Sequence, residues 1–115
     1  FSYYYNRLGG SGHFELLTEP ENYFSNRWLT TLQIINSDNG QTPEYFRQAL
    51  EKHNIESRPL WKPLHLQPVF KSYPAFITGI SENLFNNGLC LPSGSAITDV
   101  QLDKICTLLE TAAKV

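Results

Sequence analysis

One stretch of the sequence concentrates side chains able to bind or position a ligand. Between residues 57 and 68, Arg58, Trp61, Lys62, His65 and Gln67 are interleaved with Pro59, Pro63 and Pro68. A guanidinium grips phosphate or carboxylate with paired N–H bonds. An indole offers an apolar face for stacking, and an imidazole can bond or hold a proton near neutral pH. Proline fixes its own φ and restricts its predecessor, so such a segment keeps a set geometry at low entropic cost. Binding groups often sit on rigid irregular segments of this kind. The same residues also fit a plainer role: a proline-ordered surface loop, with Arg58 ion-paired inside the domain and Trp61 packed in the core. A second stretch, Gly88-Leu89-Cys90-Leu91-Pro92-Ser93-Gly94-Ser95, is an apolar run that ends in a turn. On its residues alone it is an ordinary strand–turn–helix junction.

Other chemistries lack their residues. Gly9-Gly10-Ser11-Gly12 does not follow a strand and reads as a turn, not a phosphate-cradling loop. His13, His53 and His65 are far apart and without partners at metal-ligand spacing, so no metal is expected. A Ser/His/Asp arrangement has no nucleophile-elbow pattern to support it.

The elements that must position these residues follow from periodicity and punctuation. Residues 1–8 have aromatics and Leu8 at helical spacing and stop at Gly9-Gly10. Residues 13–17 are a short strand candidate. Residues 27–35 alternate as the clearest strand, with Trp28, Thr30, Leu32 and Ile34 on one face and Leu29, Thr31 and Gln33 on the other. A turn is expected at Asn36-Ser37-Asp38-Asn39-Gly40. Thr42 and Pro43 then open a helix whose Phe46, Ala49, Leu50 and His53 share an inward face. Residues 54–61 read as another strand, with Pro59 marking a sheet edge. Residues 81–87 read as a short helix capped by Ser81 and ended by Gly88, and residues 88–92 as a buried strand. Thr98 and Gln101 have capping-box spacing for a last helix with Ile105, Leu108, Leu109 and Ala112 inward. The expected fold is a two-layer α/β (α+β) domain: three or four short strands, antiparallel or mixed, with helices packed on them.

The 115 residues suit one domain, 1–115, with a core of its own. A net charge of −2 gives no electrostatic case for nucleic acid or an anionic membrane. Cys90 and Cys106, each among apolar neighbours, read as buried free thiols, which fits a reducing, cytoplasmic setting. No apolar run approaches a membrane span. The sequence contains no Met and opens on Phe1-Ser2-Tyr3-Tyr4-Tyr5, an aromatic start that reads as a cut through a longer chain.

The two stretches set out above also carry a resemblance. Arg58-Pro59-Leu60-Trp61-Lys62-Pro63-Leu64-His65-Leu66-Gln67-Pro68, followed by Gly88-Leu89-Cys90-Leu91-Pro92-Ser93-Gly94, resembles the C-terminal region of the DegT/DnrJ/EryC1/StrS aminotransferases. Asn26-Arg27-Trp28-Leu29-Thr30-Thr31 resembles that family's first small-domain strand, and Ser81-Glu82-Asn83-Leu84-Phe85 the helix before its Leu-Pro motif. The likeness runs through nearly the whole chain in family order, and is closest to the branch that acts on UDP-linked amino-deoxy sugars for surface glycans. It implies the C-terminal small domain of a fold-type I enzyme dependent on pyridoxal 5′-phosphate (PLP). Such an enzyme transfers an amino group, with glutamate the usual donor, to a keto-sugar nucleotide, and commonly works as a homodimer.

In that family a large domain holds the cofactor and its Schiff-base lysine. None of Lys52, Lys62, Lys71, Lys104 and Lys114 resembles that lysine, so the chain alone is expected to bind no PLP and to be inactive. The resemblance assigns His65 to the face of the bound substrate as a hydrogen-bonding or positioning group. It gives Arg58 and Trp61 to the nucleotide sugar, and Ser93 and Gly94 to the mouth of the site. Two alternatives stay open: PLP-dependent sugar dehydration on the same scaffold, and a free-standing binding module without catalysis.

Overall fold

The computed structural model describes residues 1–35 and 40–114. Its helices are α1 (Ser2–Leu8), α2 (Pro43–Glu51), α3 (Ile80–Asn87) and α4 (Asp99–Ala113); its strands are β1 (Phe14–Glu15), β2 (Thr30–Ile34), β3 (Arg58–Pro59) and β4 (Gly88–Leu91). Short 3-10 turns cover Leu64–Leu66 and Pro68–Phe70. The sheet runs β1-β2-β4-β3 with every neighbouring pair antiparallel. This is the expected α+β layering, with the antiparallel form of the sheet.

Register decides what each face does. Thr30 lies opposite Leu91 and Leu32 opposite Leu89, so Leu32, Ile34, Leu89 and Leu91 share one face. That face joins Tyr4 and Leu8 of α1, Phe46 and Leu50 of α2, and Ile105 and Leu109 of α4 in a single core. Gln33, Gly88, Cys90 and Arg58 belong to the opposite face by the same pairing. Gln33 is buried there because its amide donates to the Leu84 carbonyl of α3 (3.2 Å).

Local capping matches the residue pattern. Thr42 Oγ1 accepts from the Tyr45 N–H (3.3 Å), with Pro43 at the first helical position. In α4 the Gln101 N–H donates to Thr98 Oγ1 (3.3 Å) and the Thr98 N–H to Gln101 Oε1 (2.9 Å). The far end of α4 is closed from outside: Gln41 donates to Ala113 O (3.1 Å) and the Tyr45 hydroxyl to Ala112 O (3.2 Å). Thr98→Ala removes the acceptor at the N-terminus and should cost about 1 kcal/mol. A thermal melt should then fall by about 5 °C; an unchanged melt would mean that the cap contributes nothing.

Helix α1 is fastened to the end of the chain. Arg7 pairs with Asp103 (2.5 Å) and Glu110 (3.0 Å) on α4. The Tyr4 hydroxyl donates to Pro92 O (2.9 Å), and burial raises its pKa above the ordinary phenol value.

Several elements differ from the sequence expectation. The strand at 27–35 starts only at Thr30, because Arg27 is left-handed (φ +53°). Arg27 is held there by an ion pair with Glu19 and by the Phe1 ring, whose centroid lies 3.7 Å from the guanidinium carbon. Trp28 is therefore off the core face and 71% exposed. The strand at 54–61 contracts to Arg58–Pro59 behind a left-handed Asn54 (φ +58°), and the one at 13–17 to Phe14–Glu15. His53 lies past the end of α2 and is exposed. Helix α3 starts at Ile80, capped by Gly79 at φ +81°, while the Ser81 hydroxyl donates to Glu82 inside the first turn (3.3 Å). Of the turn expected at 36–40, only Gly40 (φ +88°) falls among the described residues.

Candidate functional site

Strand β4 ends where β2 and β3 begin, and a cleft of about 720 Å³ opens at that end of the sheet. Its size lies in the usual range for a small-molecule site. Arg58, Trp61 and Ser93 all line it, together with Trp28, Ser57 and Cys90. Three of the five residues that the resemblance gives to the site thus come together, and Gly94 is not among the lining residues. His65 does not line the cleft.

Arg58 projects from the sheet face opposite the core, level with Cys90. Its guanidinium bonds Glu56 through Nη2 (2.5 Å) and Nε (2.7 Å), and both side chains are exposed. This is the in-domain ion pair that the residues also allowed. At such exposure a pair contributes about 0–1 kcal/mol, so an anionic ligand can compete for the guanidinium.

Trp61 is 63% exposed, which removes the core-packing alternative. Its indole lies beside that of Trp28, with ring centroids 6.0 Å apart and planes at 34°. The Trp28 N–H donates to Asn26 Oδ1 (3.1 Å), which fixes the backbone just before the strand.

Ser93 is engaged in the fold. Its hydroxyl accepts from the Thr30 N–H (2.8 Å) and donates to Leu91 O (2.9 Å), joining the start of β2 to the end of β4. Gly94, next along, is exposed. Burial pushes the Cys90 thiol above its ordinary pKa, away from the reactive thiolate form. Ser57 is buried in the cleft wall, and its hydroxyl has no hydrogen-bond partner among the described residues.

His65 sits on the Leu64–Leu66 turn with Nε2 2.7 Å from Glu82 Oε1 on α3, both side chains mostly buried. The Glu82 carboxyl lies below its ordinary pKa. A bond from its own backbone N–H is the largest cause, and the His65 bond adds to it against the opposing effect of desolvation. An ionised carboxylate only accepts, so Nε2 carries the hydrogen in this bond and Nδ1 is left to other partners. Glu82 was not singled out from sequence: it is 17 residues from His65 and no local pattern links them. Trp28 was missed as a cleft residue because alternation alone placed it on the core face.

The lysines bear on the cofactor. Lys52, Lys62, Lys71, Lys104 and Lys114 are all exposed, and none lines the cleft. The cleft thus presents no lysine to a bound ligand, and no chemical step of PLP is assigned to this chain's residues. Among the described residues no three His, Cys, Asp or Glu side chains are grouped as a metal site would need. Cys90 and Cys106 are free and buried. No helix among the described residues is long and apolar enough to cross a membrane.

Known proteins share this architecture. The chain is 43% identical over 113 residues to EpsN of Bacillus subtilis (strain 168), a candidate pyridoxal phosphate-dependent aminotransferase, a match covering 95% of this chain and 28% of EpsN. It is 26% identical over 98 residues to GDP-perosamine synthase of Vibrio cholerae, covering 80% of this chain and 25% of that protein. Spr1654 from Streptococcus pneumoniae, a candidate sugar aminotransferase solved in its PMP form, superposes with a TM-score of 0.80 at 24% identity, over 98% of this chain and 29% of its own. The chain thus spans under a third of the length of each of these relatives. The model of the DegT/DnrJ/EryC1/StrS aminotransferase family matches residues 1–110. With that match, on a sheet and helices that superpose on Spr1654, the chain belongs to the DegT/DnrJ/EryC1/StrS aminotransferase family.

Proposed function

We propose that this chain is the small domain of a PLP-dependent aminotransferase that moves an amino group, glutamate being the usual donor in this family, onto a keto-sugar nucleotide for surface glycans. In this reading the remainder of a longer, homodimeric, cytoplasmic enzyme supplies PLP and its lysine. The observation that carries it is the cleft, which gathers Arg58 and Trp61, a phosphate-binding and a stacking group, at one end of the sheet. Support comes also from the segment between Leu64 and Ile80, whose Leu64, Val69, Tyr73, Phe76, Ile77 and Ile80 are all exposed. Apolar surface of that kind fits a face closed by another domain. GDP-perosamine synthase carries a sugar nucleotide in its name, and EpsN is the relative most suited to a test.

His65 serves as a positioning group in this reading. Glu82 orients the ring and leaves Nδ1 to meet the ligand. Arg58 meets the diphosphate and Trp61 a ring face. Ser93 holds the cleft's rim together through Thr30 and Leu91, with Gly94 beside it.

The experiment is a chimera in which this chain replaces the matching quarter of EpsN. The chimera should transfer an amino group from glutamate to a keto-sugar nucleotide, while this chain alone turns over nothing. His65→Ala should lower the chimera's turnover by about tenfold, the effect of losing one hydrogen bond, with cofactor absorbance unchanged. Unchanged turnover would remove His65 from the site, and a single borohydride-trapped lysine adduct on the isolated chain would place the cofactor here.

A further inference from the structure

We propose that the Trp28–Trp61 pair is the shelf on which the base of a nucleoside diphosphate lies, and that its diphosphate displaces Glu56 from Arg58. The inference rests on the sugar-nucleotide reading above. It goes further in naming Trp28 as a ligand contact and Glu56 as an internal competitor.

Three observations carry it. Trp28 and Trp61 are the only tryptophans in the chain, and both are exposed, at 71% and 63%, on the wall of one cleft. An indole prefers burial, so two exposed side by side leave a wide apolar face without a partner. The shelf is also rigid. Trp28 follows Arg27, which Glu19 and Phe1 clamp in the left-handed region, and its N–H is bonded to Asn26. Trp61 lies between Pro59 and Pro63. Preorganised aromatic faces bind a planar ring without a large ordering cost. Finally, the charged pair on this cleft is Arg58 with Glu56, exposed and two residues apart. A diphosphate offers the same acceptor geometry with more charge, so it replaces the carboxylate on the guanidinium.

Because both indoles stand in the proposed site, tryptophan emission excited beyond the absorption of the six tyrosines reports on it alone. Titration with UDP should quench the emission saturably. Uridine should quench with about tenfold weaker affinity, and inorganic pyrophosphate should compete with UDP without quenching. Trp61→Ala should weaken UDP by about tenfold, read from the remaining indole, while Trp61→Phe keeps most of the binding. Arg58→Gln should bring UDP down to the affinity of uridine. Glu56→Gln should tighten UDP several-fold and leave uridine unchanged. The proposal is overturned if UDP produces no saturable quenching, if pyrophosphate quenches as UDP does, or if Arg58→Gln and Trp61→Ala leave UDP affinity unaltered. An EpsN chimera that turns over while UDP fails to quench would sink the shelf and keep the sugar-nucleotide reading. Quenching beside an inert chimera would do the reverse.

Discussion

Gly88→Ala is expected to destabilise the domain by about 3 kcal/mol or more and to loosen the candidate cleft in the same step. Gly88 has ordinary extended dihedrals (φ −103°, ψ 149°), so the restriction is one of space. An added Cβ would stand 2.1 Å from Leu60 Cδ1 and 2.5 Å from the Leu84 carbonyl oxygen. Leu60 can rotate, but the carbonyl cannot retreat without distorting the last turn of α3. The same oxygen accepts the buried Gln33 amide, so moving it also strips a partner from β2. Leu60 lies between Arg58 and Trp61 in sequence, so its displacement shifts both. A thermal melt should fall by more than about 10 °C, and UDP quenching should weaken. Gly94→Ala is the control: nothing lies within 4 Å of its Cβ position, and its melt should not move. Equal melts for the two variants would refute the packing argument.

Phe46→Ala should cost about 3–5 kcal/mol, the usual penalty for deleting a buried phenyl ring. Phe46 is fully buried and meets Phe14 edge-on, with centroids 5.1 Å apart and planes at 71°. Tyr45 meets it edge-on from the other side at 5.3 Å. The ring thus joins α2 to the edge strand β1, whose two residues have little pairing of their own. A small domain commonly has about 5–15 kcal/mol in total, so the variant should lose a large part of its stability. Urea unfolding should show the midpoint drop with an unchanged slope. Phe46→Leu refills most of the space and should recover more than half of the loss; a midpoint for Phe46→Ala within error of the parent would show that this ring is not central to the core.

How much of this was legible in the sequence depends on how local the cause is. Thr42-Pro43 and Thr98-Gln101 act over three residues, and both caps stand as the pattern indicates. The shared face of Thr30, Leu32 and Ile34 also holds, since it needs only a two-residue period. Trp28 broke the same alternation because Arg27 answers to Glu19 and to Phe1, which lie far from it in sequence. Ser81 looked like a cap, but the chain turns two residues earlier, at Gly79, whose left-handed φ no side chain announces. In the candidate site, the proline-ordered segment was readable from composition. That Arg58 and Trp61 open on one cleft with Trp28, while His65 turns to Glu82, comes from pairing with β4 and α3, which periodicity cannot reach.

The sheet order has a consequence for the time at which the domain comes into being. Strand β2 pairs early with the two-residue β1, but its inner partner is β4, and the bond that seals that junction joins Thr30 to Ser93 across 63 residues. Helix α1 closes onto α4 through Arg7 and Glu110, 103 residues apart. Contacts of such span form late, since loop closure precedes their reward. On the ribosome, α1 and β2 are made before their partners and then wait, with their apolar faces uncovered, until β4 and α4 have emerged. Assembly is therefore governed by the final quarter of the sequence, and a ribosome stalled before α4 would leave the central strand pair without the helix that covers it.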